Sequence, residues 1–87
     1  MRFADLDFKP HPASLGGIHA TISFPNGYGA SIIQTPFSHG GREGRYELAV
    51  LKHGLICYDT EITSDVEGWQ TAANIEALLA RIEALPG

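Results

Sequence analysis

Residues 18–24, IHATISF, alternate without a break: Ile18, Ala20, Ile22 and Phe24 fall to one side of an extended chain, His19, Thr21 and Ser23 to the other. A period of two marks a strand with one buried face. Pro25-Asn26-Gly27 follows directly. Proline suits the first central position of a type I turn, asparagine the second, and glycine the left-handed residue that closes a three-residue hairpin loop. That loop sets Phe24 against Tyr28, Ile22 against Ala30 and Ala20 against Ile32, so the apolar residues share one face. A two-residue Asn26-Gly27 turn would slip the pairing by one, set Ile22 against Ser31 and scatter the pattern over both faces. The three-residue loop is the expected one.

Lys52-His53-Gly54 repeats the device between RYELAVL and LICY. With Leu51 opposite Leu55, one face carries Tyr46, Leu48, Val50, Ile56 and Tyr58, and the other Glu47, Ala49, Leu51, Leu55 and Cys57. A two-residue His53-Gly54 turn would redistribute these residues but still leave apolar side chains on both faces. One helix is available to cover them. Thr71 is a good N-cap, Ile75, Leu78, Leu79, Ile82 and Leu85 recur at helical spacing, and Pro86-Gly87 ends the segment. The fold class expected is α+β: an antiparallel four-stranded β-meander of two hairpins, with one C-terminal amphipathic helix packed on one face. Its single domain divides into an extended N-terminal arm (1–17), the sheet (18–58), an acidic loop (59–70) and the helix (71–85).

A surplus follows from this layout. Ile33, Ala49, Leu51, Leu55 and Cys57 gather on the face away from the helix, beside His19, Thr21 and Ser23. Either the arm covers the patch, using Phe3, Leu6 and Phe8, or another protein does, and a second copy of the chain could do so in an isologous homodimer. The connection 35–44, with Pro36 and glycines at 40, 41 and 44, is long for a hairpin loop and is expected to be mobile. Ser64-Asp65-Val66-Glu67 fits a capping box that Gly68 would soon terminate. Trp69 is expected to staple the start of the helix onto the sheet, with an anchor for a partner protein as the alternative.

Composition narrows the function classes. The 87 residues are 44% hydrophobic and 18% charged, a globular balance for one small domain. A net charge of −4 argues against nonspecific binding to nucleic-acid phosphates and is too modest for a DNA mimic. The single cysteine cannot form an internal disulfide, which suits a reducing compartment. Arg2, Asp5 and Asp7 leave no apolar stretch for a signal peptide, and no segment has the length to span a bilayer, so a cytoplasmic protein is expected.

No catalytic constellation emerges. Cys57 could be a nucleophile with His53 or His19 as base, but no Asp or Asn is evidently placed to orient either, and a small buried hydrophobe explains it as well. His11, His19, His39 and His53 lack the short spacings of a zinc site. Gly40-Gly41-Arg42-Glu43-Gly44 has neither the lysine nor the following helix of a phosphate loop, although Arg42 and Arg45 could meet an acidic partner. Asp59, Glu61, Asp65 and Glu67 carry four negative charges with no base among them. Their order is not that of an EF-hand loop, and they read as a contact site for a basic protein surface. No cofactor or metal is expected.

The succession FPNGYGASIIQ, GGREGRYELAVL and CYDTEITSDVEGW, followed by a short leucine-rich helix, resembles a family of small phage- and prophage-encoded proteins. The likeness covers residues 22–85. Its markers are the hairpin Phe24-Pro25-Asn26-Gly27-Tyr28-Gly29, the strand Tyr46-Glu47-Leu48-Ala49-Val50, and Tyr58-Asp59-Thr60 with Asp65-Val66. These residues specify a fold rather than an activity. The chain is also similar in size and character to anti-CRISPR proteins, compact viral inhibitors that bind a Cas protein and block DNA recognition or nuclease recruitment. That likeness implies a non-enzymatic phage protein that occludes a surface of a host CRISPR effector, with a Cas subunit as partner. The alternatives are a homodimeric phage accessory protein and a small enzyme dependent on Cys57 or a metal.

Overall fold

The first hairpin forms in the register that the alternation demands. The computed structural model describes residues 3–10, 16–36, 38, 41–56 and 67–86, with the backbone alone for Arg42, Ile56 and Glu67. Strands β2 (Ile18–Ser23) and β3 (Tyr28–Gln34) pair antiparallel, with Ala20 opposite Ile32 and Ile22 opposite Ala30. The Phe24 N–H donates to the Tyr28 carbonyl at 2.8 Å and Gly27 N–H to the Phe24 carbonyl at 3.1 Å, which closes the three-residue loop. Gly27 has φ 87°, a left-handed geometry in which glycine carries no Cβ penalty.

Strand β4 (Tyr46–Lys52) pairs antiparallel with β3, from Tyr28 opposite Lys52 to Ile33 opposite Glu47. Its side chains at Leu48 and Val50 therefore join Ala30 and Ile32 on one face. The helix α1 (Ala72–Glu83) lies on that face, where Ile75, Leu79 and Ile82 are fully buried with Phe24, Ala30, Ile32, Leu48 and Val50. Leu78 and Leu85 pack at the margin of this cluster. Thr71 is the N-cap, its hydroxyl accepting from the Asn74 N–H at 3.1 Å.

The sheet is wider than four strands. The arm supplies β1 (Lys9–Pro10), which pairs with the free edge of β2 through Lys9 opposite His19 and Pro10 opposite Ile18. Proline is tolerated there because an edge strand can dispense with one donor. At the other side, β5 (Leu55–Ile56) and β6 (Glu67–Gln70) both pair with β4, so the path β1-β2-β3-β4-β5 ends on an edge shared by two short strands. Residues 67–70, expected as loop, are sheet. The expected capping box fails for the same reason: Glu67 and Gly68 are strand residues, and 64–66 lie outside the described chain.

The second hairpin also departs from expectation. Leu51 faces Ile56 and Lys52 faces Leu55, so the turn is His53-Gly54 alone. Both turn residues have positive φ, 51° and 83°, as a type I′ turn requires. Such a turn matches the right-handed twist of the strands, and histidine enters the left-handed region more readily than most residues. The His53 N–H donates to the Gly27 carbonyl at 2.9 Å, joining the two hairpin loops at one end of the sheet.

The large apolar residues of the arm lie on the helix side. Phe3, Leu6 and Phe8 pack against the main core, not over the opposite face. The Phe3 and Phe8 rings stand 5.0 and 5.7 Å from that of Tyr46, and the Phe3 N–H donates to Glu76 Oε1 at 2.7 Å. Replacing Phe3 and Phe8 together by alanine should destabilise the fold by about 2–4 kcal/mol. Urea titration reads this as a lowered midpoint; an unchanged midpoint would mean that the arm is undocked.

The connection 35–44 is tied down at its start. Thr35 N–H donates to Ser38 Oγ and Ser38 N–H to Thr35 Oγ1, both at 2.9 Å, a reciprocal pairing with the logic of a capping box. Thr35 is buried. Gly41 sits so close that a Cβ there would collide with the Thr35 carbonyl. The described part of this connection is thus a series of tight hydrogen-bonded turns.

Candidate functional site

Two large apolar side chains stand out in solvent among the described residues, and both lie on the β4 edge. Leu55, 75% exposed, faces Lys52 at the end of the second hairpin. Trp69, 60% exposed, belongs to β6. Measured along β4 at 3.3 Å per residue, they are separated by about 15–20 Å. A protein contact of ordinary size, about 800 Å² per partner, spans such a distance.

The geometry at Trp69 arises from a β-bulge. Tyr46 pairs with Gln70 and Leu48 with Glu67, so β6 spends one more residue than β4 over the same interval. The chain absorbs that residue at Trp69, whose φ is 61°. For a residue with a Cβ, left-handed backbone costs about 1–2 kcal/mol. The Gln70 side chain donates to the Gly68 carbonyl at 3.0 Å, and Thr71 caps the helix immediately afterwards. The indole is therefore carried on backbone held by the ladder on one side and by the helix on the other. Trp69 does not staple the helix start, as the sequence suggested. A strained, exposed tryptophan on a fixed backbone has the properties of an interface anchor.

Two of the five residues expected to form a patch on the face away from the helix are buried within one chain. Ala49 and Leu51 are only 7% and 9% exposed, and Ile33 is half-buried opposite His19 and Glu47. The two-residue turn moves Leu55 off that face, because it now pairs with Lys52 and not Leu51. Cys57 lies outside the described residues, as do Asp59, Glu61 and Asp65. Glu67 opens β6. The structure brings Ala49 and Leu51 into one neighbourhood with Ile33, but as covered residues.

The same face carries a shallow polar depression toward the β1 edge, lined by Asp7, Lys9, His19 and Thr21. Lys9 Nζ and Asp7 Oδ2 are 3.7 Å apart at the surface, where such a pair adds little stability. His53 is exposed in its turn; His11 and His39 fall outside the described residues. Among the described residues no three of His, Cys, Asp and Glu converge as a metal site would require. Nor is any described helix long and apolar enough to cross a membrane.

Sequence reasoning ranked Trp69 as a staple ahead of an anchor because its exposure follows from a bulge, and no local pattern encodes the pairing that makes the bulge. No protein-family model, curated protein or solved structure matches this chain.

Proposed function

We propose that this chain is a phage-encoded, non-catalytic binding protein that acts in the host cytoplasm by occluding a surface of a larger protein complex, with a CRISPR effector as the target. The observation that carries the reading is Trp69, presented to solvent in left-handed backbone. Tryptophan leads the residues on which binding energy concentrates, and a pre-organised backbone reduces the entropy lost on docking. Leu55 extends the apolar contact along the same edge. The acidic residues Asp59, Glu61, Asp65 and Glu67, between Leu55 and Trp69 in the chain, favour a partner with a basic surface, as proteins that hold nucleic acid have. The likeness to small phage proteins supports the source.

The test combines affinity capture with an interference assay in a bacterial host. The wild-type chain should recover an effector subunit and relieve interference, and Trp69→Ala should lose both. Trp69→Gly should lose both as well, while its stability stays within about 1 kcal/mol of wild type, because glycine relieves the left-handed strain. Failure to recover any effector subunit, with interference intact, would remove the CRISPR assignment. Retention of binding by both variants would remove Trp69 as anchor.

A second copy as partner is favoured by Leu55 alone. Light scattering should then report a dimer that Leu55→Asp converts to monomer. Leu51→Asp would not discriminate, since Leu51 is buried in the monomer and its loss would disturb the fold itself.

A further inference from the structure

The loop that closes the first hairpin also closes the helix. Asn26 Nδ2 lies 3.0, 3.2 and 2.9 Å from the carbonyl oxygens of Ile82, Glu83 and Leu85, while its Oδ1 accepts from the Tyr28 N–H at 3.0 Å. Asn26 is followed by Gly27. An asparagine before glycine is the arrangement most prone to lose ammonia, because a glycine amide has no side chain to obstruct attack on the neighbouring carboxamide. In that reaction the Gly27 nitrogen gives up its proton and bonds to Asn26 Cγ. The Cγ–Nδ2 bond breaks, Nδ2 departs as ammonia with the proton, and a succinimide ring closes. Water then opens the ring at either carbonyl, leaving aspartate or isoaspartate.

Every atom that must move is engaged in the folded chain. The Gly27 N–H donates to the Phe24 carbonyl at 3.1 Å, and both ends of the carboxamide are held. Closing the ring would break these bonds and release the helix end. We infer that Asn26 is a modification site opened only by unfolding, at which deamidation converts a transient opening into a lasting loss of stability. Neither product can resume the native role. An aspartate would set a negative charge among helix-terminal carbonyls, where the dipole is already negative. An isoaspartate would lengthen by one methylene the backbone of a loop whose length sets the β2–β3 register.

The experiment follows intact mass and isoaspartate content of the full chain at mildly alkaline pH, in native buffer and in urea. Deamidation should be slower in native buffer by at least about 1,000-fold, because reaction must await unfolding and the open fraction follows the total stability. Leu79→Ala, destabilised at a site remote from the loop in sequence, should react faster than wild type in native buffer and equally fast in urea. Asn26→Gln should lose the urea-dependent mass gain, which assigns that gain to Asn26. On dilution from urea, the aged fraction should fail to regain the native melting profile. Equal rates with and without urea, persistence of the mass gain in Asn26→Gln, or a native melting profile regained by the aged chain would each overturn the inference.

Discussion

Leu79→Ala should cost the fold about 3 kcal/mol and lower Tm by roughly 12–24 °C. Leu79 is fully buried at the centre of α1, between Ile75 and Ile82, and touches the sheet residues on which the core rests. Alanine keeps the helix propensity, so the loss measures the cavity and the missing contacts rather than the helix. For a domain of this size the total stability is on the order of 5–10 kcal/mol, and such a variant forfeits a large share of it. Thermal and urea melts check the value, with the denaturant slope unchanged if both states keep their compactness. Ala77→Glu, on the exposed side of the same helix, should change stability by less than about 0.5 kcal/mol. Equal effects at the two positions would mean that the helix is not docked through this face.

Asn26→Asp should destabilise by about 2–4 kcal/mol, more than Asn26→Ala, although it changes volume least. The native carboxamide donates toward three carbonyls at the helix C-terminus and accepts from the Tyr28 N–H. Alanine removes the donors; aspartate replaces them with negative charge. The sign of the pH effect follows. A carboxylate surrounded by carbonyl oxygens holds its proton more tightly folded than unfolded, so the folded variant binds more protons as pH falls through the carboxylate range. The deficit of Asn26→Asp relative to wild type should therefore shrink on acidification, and that of Asn26→Ala should not. Urea midpoints measured for the three chains at neutral and acidic pH decide the matter, and an Asp variant as stable as Ala at neutral pH would sink this account of the cap.

How much was legible depended on whether a pattern was settled locally. The first hairpin was legible to the residue because only one register keeps Ile18 to Phe24 on a single face. The helix was legible because the spacing of Ile75, Leu79 and Ile82 and the Thr71 cap point to the same answer. At the second hairpin both turns left apolar residues on each face, so periodicity had no preference and the type I′ geometry of His53-Gly54 decided. That choice relocated Leu55, and with it part of the expected contact patch. The arm was ambiguous for a related reason: Phe3 and Phe8 suit any apolar surface, and Tyr46 and Glu76 provided one on the helix side.

The amino-acid order alone determined the strand alternation, the loop of the first hairpin and the amphipathic helix, since these rest on spacing and turn chemistry within short stretches. The tertiary structure alone decided that Asn26 caps a helix 56 residues away, that β6 returns to β4 with a bulge, and that Trp69 consequently faces solvent. Each of these depends on which distant backbone groups remain to be satisfied after the sheet has assembled, and spacing within a short stretch holds no information about that.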